Sequence, residues 1–509
     1  MTTRRLFVAI LFVALFVMTT REISDPDFWW HLSTGKYIVE TQSIPHTDPF
    51  SFTKAGEPWV THEWLSEVVM YALFLVGSYP LLILTFSAII TLSFAFVFAR
   101  SQGKPYIATL ALLLAALTTA PTWGVRPQMI SLLLMSVFLW VLDKSHCHVE
   151  RSETSLNQGN ETLRAVHPEE RRTQSDKLLW LLPPLMLLWV NLHSGYALGL
   201  AILVVYLFGA IVSRITHSES DSHPPKLTAT LALVFVLCMV AVLFNPNGAT
   251  MFIYPFETLT SRTMQAYIQE WFSPDFHLSE FQPFAWLILA TMASIALSGK
   301  RASLTQTLLL IGTGYAALRS ARNIPLFAVV AAPILAEHLW YIVEARFRSM
   351  QRTTAPITRS MAIVNWVLLA VIVLAGLLRV AMVASNQQAV ERAKFPAAAV
   401  DFLQTHVRNE RITGALYNSY GWGGYLIWRM YPQVRVFIDG RADVYGDQFI
   451  EDVYLKGYRG GDGWLEPLDR YDVHFVLVEP DAPLASPLAS DAAWRKVYED
   501  KQAVVWERK

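Results

Sequence analysis

Cysteine and charge are both scarce in this chain of 509 residues. Two cysteines occur, Cys147 and Cys238, one in a predicted cytoplasmic loop and one in a predicted helix. That placement excludes a disulfide framework and a redox pair. Charged residues make up only 16%, and 41 Lys plus Arg balance 41 Asp plus Glu. Without a basic excess there is no electrostatic footprint for nucleic acid, and nothing marks an acidic partner. A GxxxxGK[ST] loop is also missing, which removes one common cradle for nucleotide phosphates.

Apolar residues take the vacant share: 53% of the chain is hydrophobic and the mean hydropathy is +0.34. They gather in blocks of roughly 15 to 23, the length that crosses a bilayer as a helix. The first block lies in MTTRRLFVAILFVALFVMTT; the others fall at 79–99, 105–121, 128–142, 178–190, 196–213, 227–244, 284–298, 303–318, 324–343 and 361–384. These predict an α-helical polytopic membrane protein with eleven spans. The first block also has the basic start and apolar core of a signal peptide, but no small-x-small cleavage site precedes the aspartates, so it reads as an uncleaved span. HEWLSEVVMYALFLVG, 62–77, is too short to cross and carries Glu63 and Glu67, so an amphipathic helix lying at the interface is expected. With eleven spans, predicted cytoplasmic segments hold eighteen Lys and Arg against seven in the opposite loops before the last span. The positive-inside rule then puts the N-terminus in the cytoplasm and the C-terminal region outside.

The sequence divides into a membrane domain, 1–384, and a soluble α/β domain, 385–509. The first contains an extracytoplasmic loop, 23–78, and a polar insert, 143–177, that lacks periodicity and reads as disordered. His146, Cys147 and His148 in that insert are adjacent and poorly spaced for one tetrahedral metal. In the second, a helix is expected at 396–407 and strands at 412–418, 434–439, 474–480 and 503–508.

Under this topology the polar clusters fall on one face. DPD (25–27), HEW (62–64), VRPQ (125–128), NLHSG (191–195), FNPNG (244–248), QEWFSPDFH (269–277) and RSARN (319–323) all sit at extracytoplasmic ends of predicted spans. A charged side chain at a bilayer centre costs about 2.5–3.5 kcal/mol on insertion scales. A shared wet cleft removes that cost. Nucleotide donors are scarce outside the cytoplasm, so an activated donor arrives through the lipid, and a polyprenyl-phosphate sugar meets that need. Its transfer requires a carboxylate base and cations to hold the departing phosphate. Asp25 or Asp27 suits the base; Arg319 and Arg322, joined by Arg126, suit the clamp. His31, His62, Glu63, Asn191, His193 and Glu270 are further substrate-binding candidates. In FIDGRADVYG, Asp439 and Arg441 stand where a strand ends, a usual place for ligands in α/β domains.

Each choice has a structural rival. An Asp-Pro-Asp step can end one helix and cap the next. Trp29 and Trp30 suit an interfacial aromatic belt, and Arg319 and Arg322 suit helix-end anchors. Asn191 and His193 suit hydrogen bonds between helices, and Gly440 suits a tight bend.

On these residues the chain resembles bacterial members of the GT-C glycosyltransferase superfamily, which includes protein mannosyltransferases and lipid A aminoarabinose transferases. The likeness rests on one span, then a large first outer loop with an acidic motif (DPDFWWHL, then HEWL), further outward loops and a terminal extracytoplasmic domain. A closer similarity is to a group of predicted membrane glycosyltransferases that shares DPDFWWHL, IPHTDPFSFT, HEWL, NLHSG, NPNG, EW, YGWGGYLIW and DGRADVYG. The resemblance implies inverting transfer from a polyprenyl-phosphate sugar to a glycan, lipid or protein acceptor at the inner (plasma) membrane, with Asp25 or Asp27 as base. Superfamily members differ in their use of a divalent cation, and the sequence requires none. A transporter or flippase of lipid-linked glycans is the alternative, for which mid-span charges and internal repeats would speak; neither stands out. A non-catalytic envelope assembly protein is the other, and it would tolerate replacement of Asp25 and Asp27.

Overall fold

The structure is a computed structural model describing residues 3–102, 105–156, 177–215, 225–346, 358–408 and 415–509. Most of every apolar block of the sequence is helical among the described residues. Among the described residues, seven helical stretches are long and apolar enough to cross a membrane: Trp64–Arg100, Pro105–Thr122, Gln128–Ser145, Tyr196–Ile215, Ser279–Leu297, Ala321–Arg346 and Arg359–Lys394. Shorter apolar helices accompany them, including Lys177–Leu192 and Lys226–Val242.

Helix α1, Thr3–Thr19, ends where the hydroxyls of Thr19 and Thr20 bond back to the Phe16 carbonyl at 2.9 and 2.8 Å. Helix α2, Asp27–Thr41, starts immediately after Pro26 and turns out at Gln42, which is left-handed. Helix α3, Trp64–Arg100, is two helices in line. Gly77 and Ser78 leave helical geometry, Ser78 with φ of 52°, and Pro80 follows without an N–H to donate. The break separates a first segment, 64–76, from the apolar segment that follows, so the stretch 62–77 is indeed a distinct short helix. Helix α2 packs on that first segment so closely that a Cβ at Gly35 would collide with the Glu67 backbone.

Helix Ile324–Arg346 is the centre of the bundle, buried through Ala336 apart from Leu326. Helix Arg359–Lys394 is its opposite. It leans on α1, where Gly376 meets Val17, and leaves Ile363, Val364, Trp366 and Val371 exposed, a surface suited to lipid. The insert departs from expectation: α4, Gln128–Leu156, continues past 142 as helix, because its last turns lack Pro and Gly that would stop it. The rest of that insert, 157–176, lies outside the described residues, as do the side chains of His146, Cys147 and His148.

The C-terminal region carries helix Ala397–Arg408 and a four-stranded sheet: β1 (Ala415–Asn418), β2 (Val473–Val478), β3 (Trp494–Glu499) and β4 (Val504–Arg508). The order is β1-β2-β4-β3, with β1 and β2 parallel and the rest antiparallel. Strand β3 was not expected; its Arg495, Lys496 and Glu499 disguise an edge strand, where charge is useful. The expected strand 434–439 joins only by single bridges from Val436 to Leu416 and to Ser51 of the first loop. That second bridge matters. Phe52 N–H donates to the Val436 carbonyl at 3.1 Å and Val436 N–H to the Phe50 carbonyl at 3.2 Å. The first loop is thereby strapped along the sheet edge, and the two regions pack as neighbours.

Candidate active site

The DPD step does two jobs. Asp25 Oδ1 accepts from the Asp27 N–H at 3.0 Å, satisfying an orphan donor at the start of α2, while Asp25 Oδ2 pairs with Arg126 Nη1 at 3.2 Å. Both oxygens of Asp25 are thus engaged. Asp27 accepts at Oδ1 from Trp30 Nε1 at 3.1 Å, and its Oδ2 takes no hydrogen bond from the described residues, with Arg126 Nη2 at 3.8 Å.

Arg126 stands just before α4 and faces a third carboxylate, Glu270 Oε2, at 3.0 Å. Glu270 Oε1 in turn pairs with Arg322 Nη1 at 3.4 Å, and the Arg322 guanidinium lies 4.5 Å over the Trp271 ring. Five charged groups from four distant parts of the chain therefore meet: three carboxylates and two guanidiniums. Burial and then the neighbouring Asp25 charge push the Asp27 carboxyl up to about 7, against the pull of Arg126. Burial also disfavours the Glu270 carboxylate, but Arg126 and Arg322 outweigh it and hold that group below its usual range.

The C-terminal region forms the back wall of this cluster. A Cβ at Gly440 would fall on Asp27 Oδ1, and one at Gly424 would lie 3.0 Å from the Pro26 carbonyl oxygen. The glycines of YGWGGYLIW and DGRADVYG admit α2 at backbone distance. Trp29 is fully buried against Phe395 and Tyr425, at ring separations of 5.3 and 5.0 Å, so it is a core residue and not part of an interfacial belt.

Beside this cluster lies a second one. Glu63 is buried and ringed by three histidines: His31 Nδ1 at 3.3 Å from Oε2, and His62 Nε2 at 3.1 Å and His193 Nε2 at 3.3 Å from Oε1. His193 Nδ1 accepts from the Gly195 N–H at 2.8 Å, so its proton sits on Nε2 and points at Glu63. His62 Nδ1 donates to the Val60 carbonyl at 3.2 Å while Nε2 faces the carboxylate, which calls for protons on both nitrogens. Burial works against that imidazolium, yet Glu63 raises its pKa above the ordinary value, and its ring lies 4.5 Å from that of Tyr254, tilted by 38°. Burial brings His31 down to about 3 and His193 down to about 4, so both are neutral. Glu63 is disfavoured by burial but held below the usual carboxylate range by its three histidines. Glu67, one turn after Glu63, adds a second carboxylate 3.2 Å from His31 Nδ1.

Other candidates stand elsewhere. Arg319 is exposed and donates to Gln265 at 3.0 Å, away from the carboxylates. Asn191 accepts from Trp64 Nε1 at 2.9 Å and closes its own helix through Leu187. Asp439 and Arg441 are fully buried: Arg441 pairs with Asp439 at 2.6 Å and with Asp48 of the first loop at 2.8 Å, between the rings of Phe50 and Trp59. They clamp the loop to the sheet. Sequence reading did not choose Glu67, Asp48 or Tyr254 as site residues. The i, i+4 spacing of Glu63 and Glu67 was the available signal, since it places both on one helical face.

No protein family matches the sequence, and no curated protein aligns with it significantly. Solved structures match in fold. The apo oligosaccharyltransferase of Archaeoglobus fulgidus aligns with a TM-score of 0.58 at 11% identity, covering 94% of this chain and 70% of that one. The archaeal oligosaccharyltransferase AglB from Archaeoglobus fulgidus, in complex with an inhibitory peptide and a dolichol-phosphate, gives 0.55 at 11% identity over 93% and 69%. ArnT from Cupriavidus metallidurans, bound to undecaprenyl phosphate, gives 0.50 at 15% identity over 99% and 97%. These neighbours are glycosyltransferases of the GT-C type. What this chain shares with them is the fold of a polytopic helical bundle.

Proposed function

We propose that the chain is a membrane glycosyltransferase that moves a sugar from a polyprenyl-phosphate donor to an extracytoplasmic acceptor, with Asp27 as general base. The observation that carries this reading is the division of labour in DPD. Asp25 spends both oxygens on the helix start and Arg126, whereas Asp27 keeps Oδ2 free of hydrogen bonds among the described residues, with the Arg126 guanidinium 3.8 Å away. A carboxyl poised at about 7 is matched to proton abstraction near neutral pH.

In the proposed reaction Asp27 Oδ2 takes the acceptor hydroxyl proton as the acceptor oxygen attacks the anomeric carbon. The bond from that carbon to the phosphate oxygen breaks, and the phosphate leaves with the electron pair. Arg322 and Arg126 hold its growing charge. A single displacement inverts the anomeric centre. Glu270 keeps the two arginines aligned, and the Glu63 histidine cluster lies behind, too buried to meet a sugar first. Eleven spans, an N-terminus in the cytoplasm and a site facing outward at the inner membrane complete the reading; the charge asymmetry of the loops supports that orientation. The acceptor is a glycan, lipid or protein bearing a free hydroxyl.

The test is radiolabelled sugar transfer in vesicles, with the labelled product identified. Asp27→Asn is expected to lose about 10²–10⁴-fold in rate, and Asp25→Asn to lose less. Full activity in the Asp27→Asn variant refutes the assignment; movement of intact lipid-linked sugar without a new glycoside identifies a flippase.

A further inference from the structure

His31 lies one turn after Asp27 on α2, and Glu63 and Glu67 stand one turn apart where α3 begins. Their ligand atoms all lie within 4.8 Å of one another, with His31 Nδ1 3.3 Å from Glu63 Oε2 and 3.2 Å from Glu67 Oε1. The residues are 5%, 7% and 1% exposed. Read as hydrogen bonds alone, the arrangement is poor. Nδ1 carries one proton at most and cannot serve two carboxylates, and Glu67 Oε2 has no hydrogen-bond partner among the described residues. Leaving a buried polar atom unsatisfied costs about 1–3 kcal/mol, more when it is charged.

The spacing suits another role. Ligands about 2.0–2.1 Å from a tetrahedral cation stand about 3.3–3.4 Å from one another, the separation His31 keeps from both carboxylates. We infer that His31, Glu63 and Glu67 bind one divalent transition metal ion, zinc foremost, as a buried pin between α2 and α3. An imidazole among the ligands favours zinc over magnesium or calcium, which prefer oxygen alone. His62 and His193 hold the other oxygen of Glu63 at 3.1 and 3.3 Å and so orient that ligand from behind. The neighbouring carboxylates of Asp25, Asp27 and Glu270 already share a cation of their own, Arg126. The metal therefore has a positioning role: it fixes the rotation of α2, on which Asp27 stands, without touching the acceptor or the phosphate. It does not depend on the proposed reaction.

The test uses the purified full-length protein in detergent, loaded with zinc and dialysed against metal-free buffer, without any sugar substrate. One equivalent of zinc is expected to remain per chain, with retention at least about tenfold weaker in Glu67→Gln and His31→Gln. Cobalt loading should give the visible absorption of a tetrahedral site in the wild type and lose it in both variants. A chelator should lower the melting temperature of the wild type. If a variant does not fold, the wild-type stoichiometry and chelator shift decide alone. Wild-type protein that keeps no zinc after dialysis, or melts unchanged with chelator, overturns the inference.

Discussion

Replacing Arg126 with methionine keeps most of the stem and removes the cation that three carboxylates face. At the 3.8 Å separation from Asp27, the attraction is about 4 kcal/mol for an effective dielectric of 20 and about 1 kcal/mol in water. The Asp27 side chain is 33% exposed, so solvent screens part of it and about 2 kcal/mol is the working figure. That corresponds to a shift of about 1.5 pKa units. The cation favours the ionised carboxylate, so its loss moves the Asp27 titration upward from about 7. Infrared carboxyl absorption, titrated on purified protein and assigned by its disappearance in Asp27→Asn, reads the shift directly. Transfer rate in vesicles reads it again: the limb that rises with pH as Asp27 ionises should move to alkaline pH, above a lower plateau caused by weaker phosphate binding. A carboxyl in Arg126→Met that titrates at the wild-type pH, or below it, refutes the electrostatic account.

Three other substitutions separate support from chemistry. Gly440→Ala pushes a methyl onto Asp27 Oδ1 and towards Trp30 Nε1; sugar transfer should fall at least about tenfold, while thermal melting changes little. Arg441→Met leaves Asp48 and Asp439 buried without their cation; a loss of about 3–5 kcal/mol should appear as a large drop in melting temperature and early proteolysis of the first loop. Asp447→Ala frees the start of helix Arg262–Tyr267, where Asp447 accepts from Ser261 Oγ at 2.6 Å and the Arg262 N–H at 2.8 Å. About 1–2 kcal/mol of local stability should go, seen as faster amide exchange in 261–271.

The membrane helices were legible because long apolar runs leave few alternatives. Convergence of DPD, HEW, VRPQ, NLHSG, QEW and RSARN followed from the cost of stranding their charges in lipid, and of these, Asp25, Asp27, Arg126, Glu270 and Arg322 do meet. Asp439 and Arg441 show the limit of such reasoning. A strand-end Asp-Gly-Arg suggests a ligand loop, but its partner, Asp48, lies far away in sequence and carries no local signal of the pairing. The helical turns after residue 142 were obscured by their polarity, which resembles a linker until backbone geometry is seen. Trp29 was misread for a related reason: a tryptophan at a predicted membrane edge says nothing of the aromatic rings, Phe395 and Tyr425, that bury it.

The contacts that complete the wall around Asp27 have a bearing on biogenesis. Ile23 exchanges hydrogen bonds with Gln387, 364 positions away, and Gly424 and Gly440 reach α2 from later still. During synthesis the acid motif emerges long before Gln387, Gly424 and Gly440 and waits, unsupported, until they have been made. A shortened product that ends after the last membrane helix carries every charged group of the pocket, yet lacks the surface that aims its base. Quality control of this protein is thus built into chain order, since the segments carrying Gly424 and Gly440 are needed before the DPD motif is correctly held.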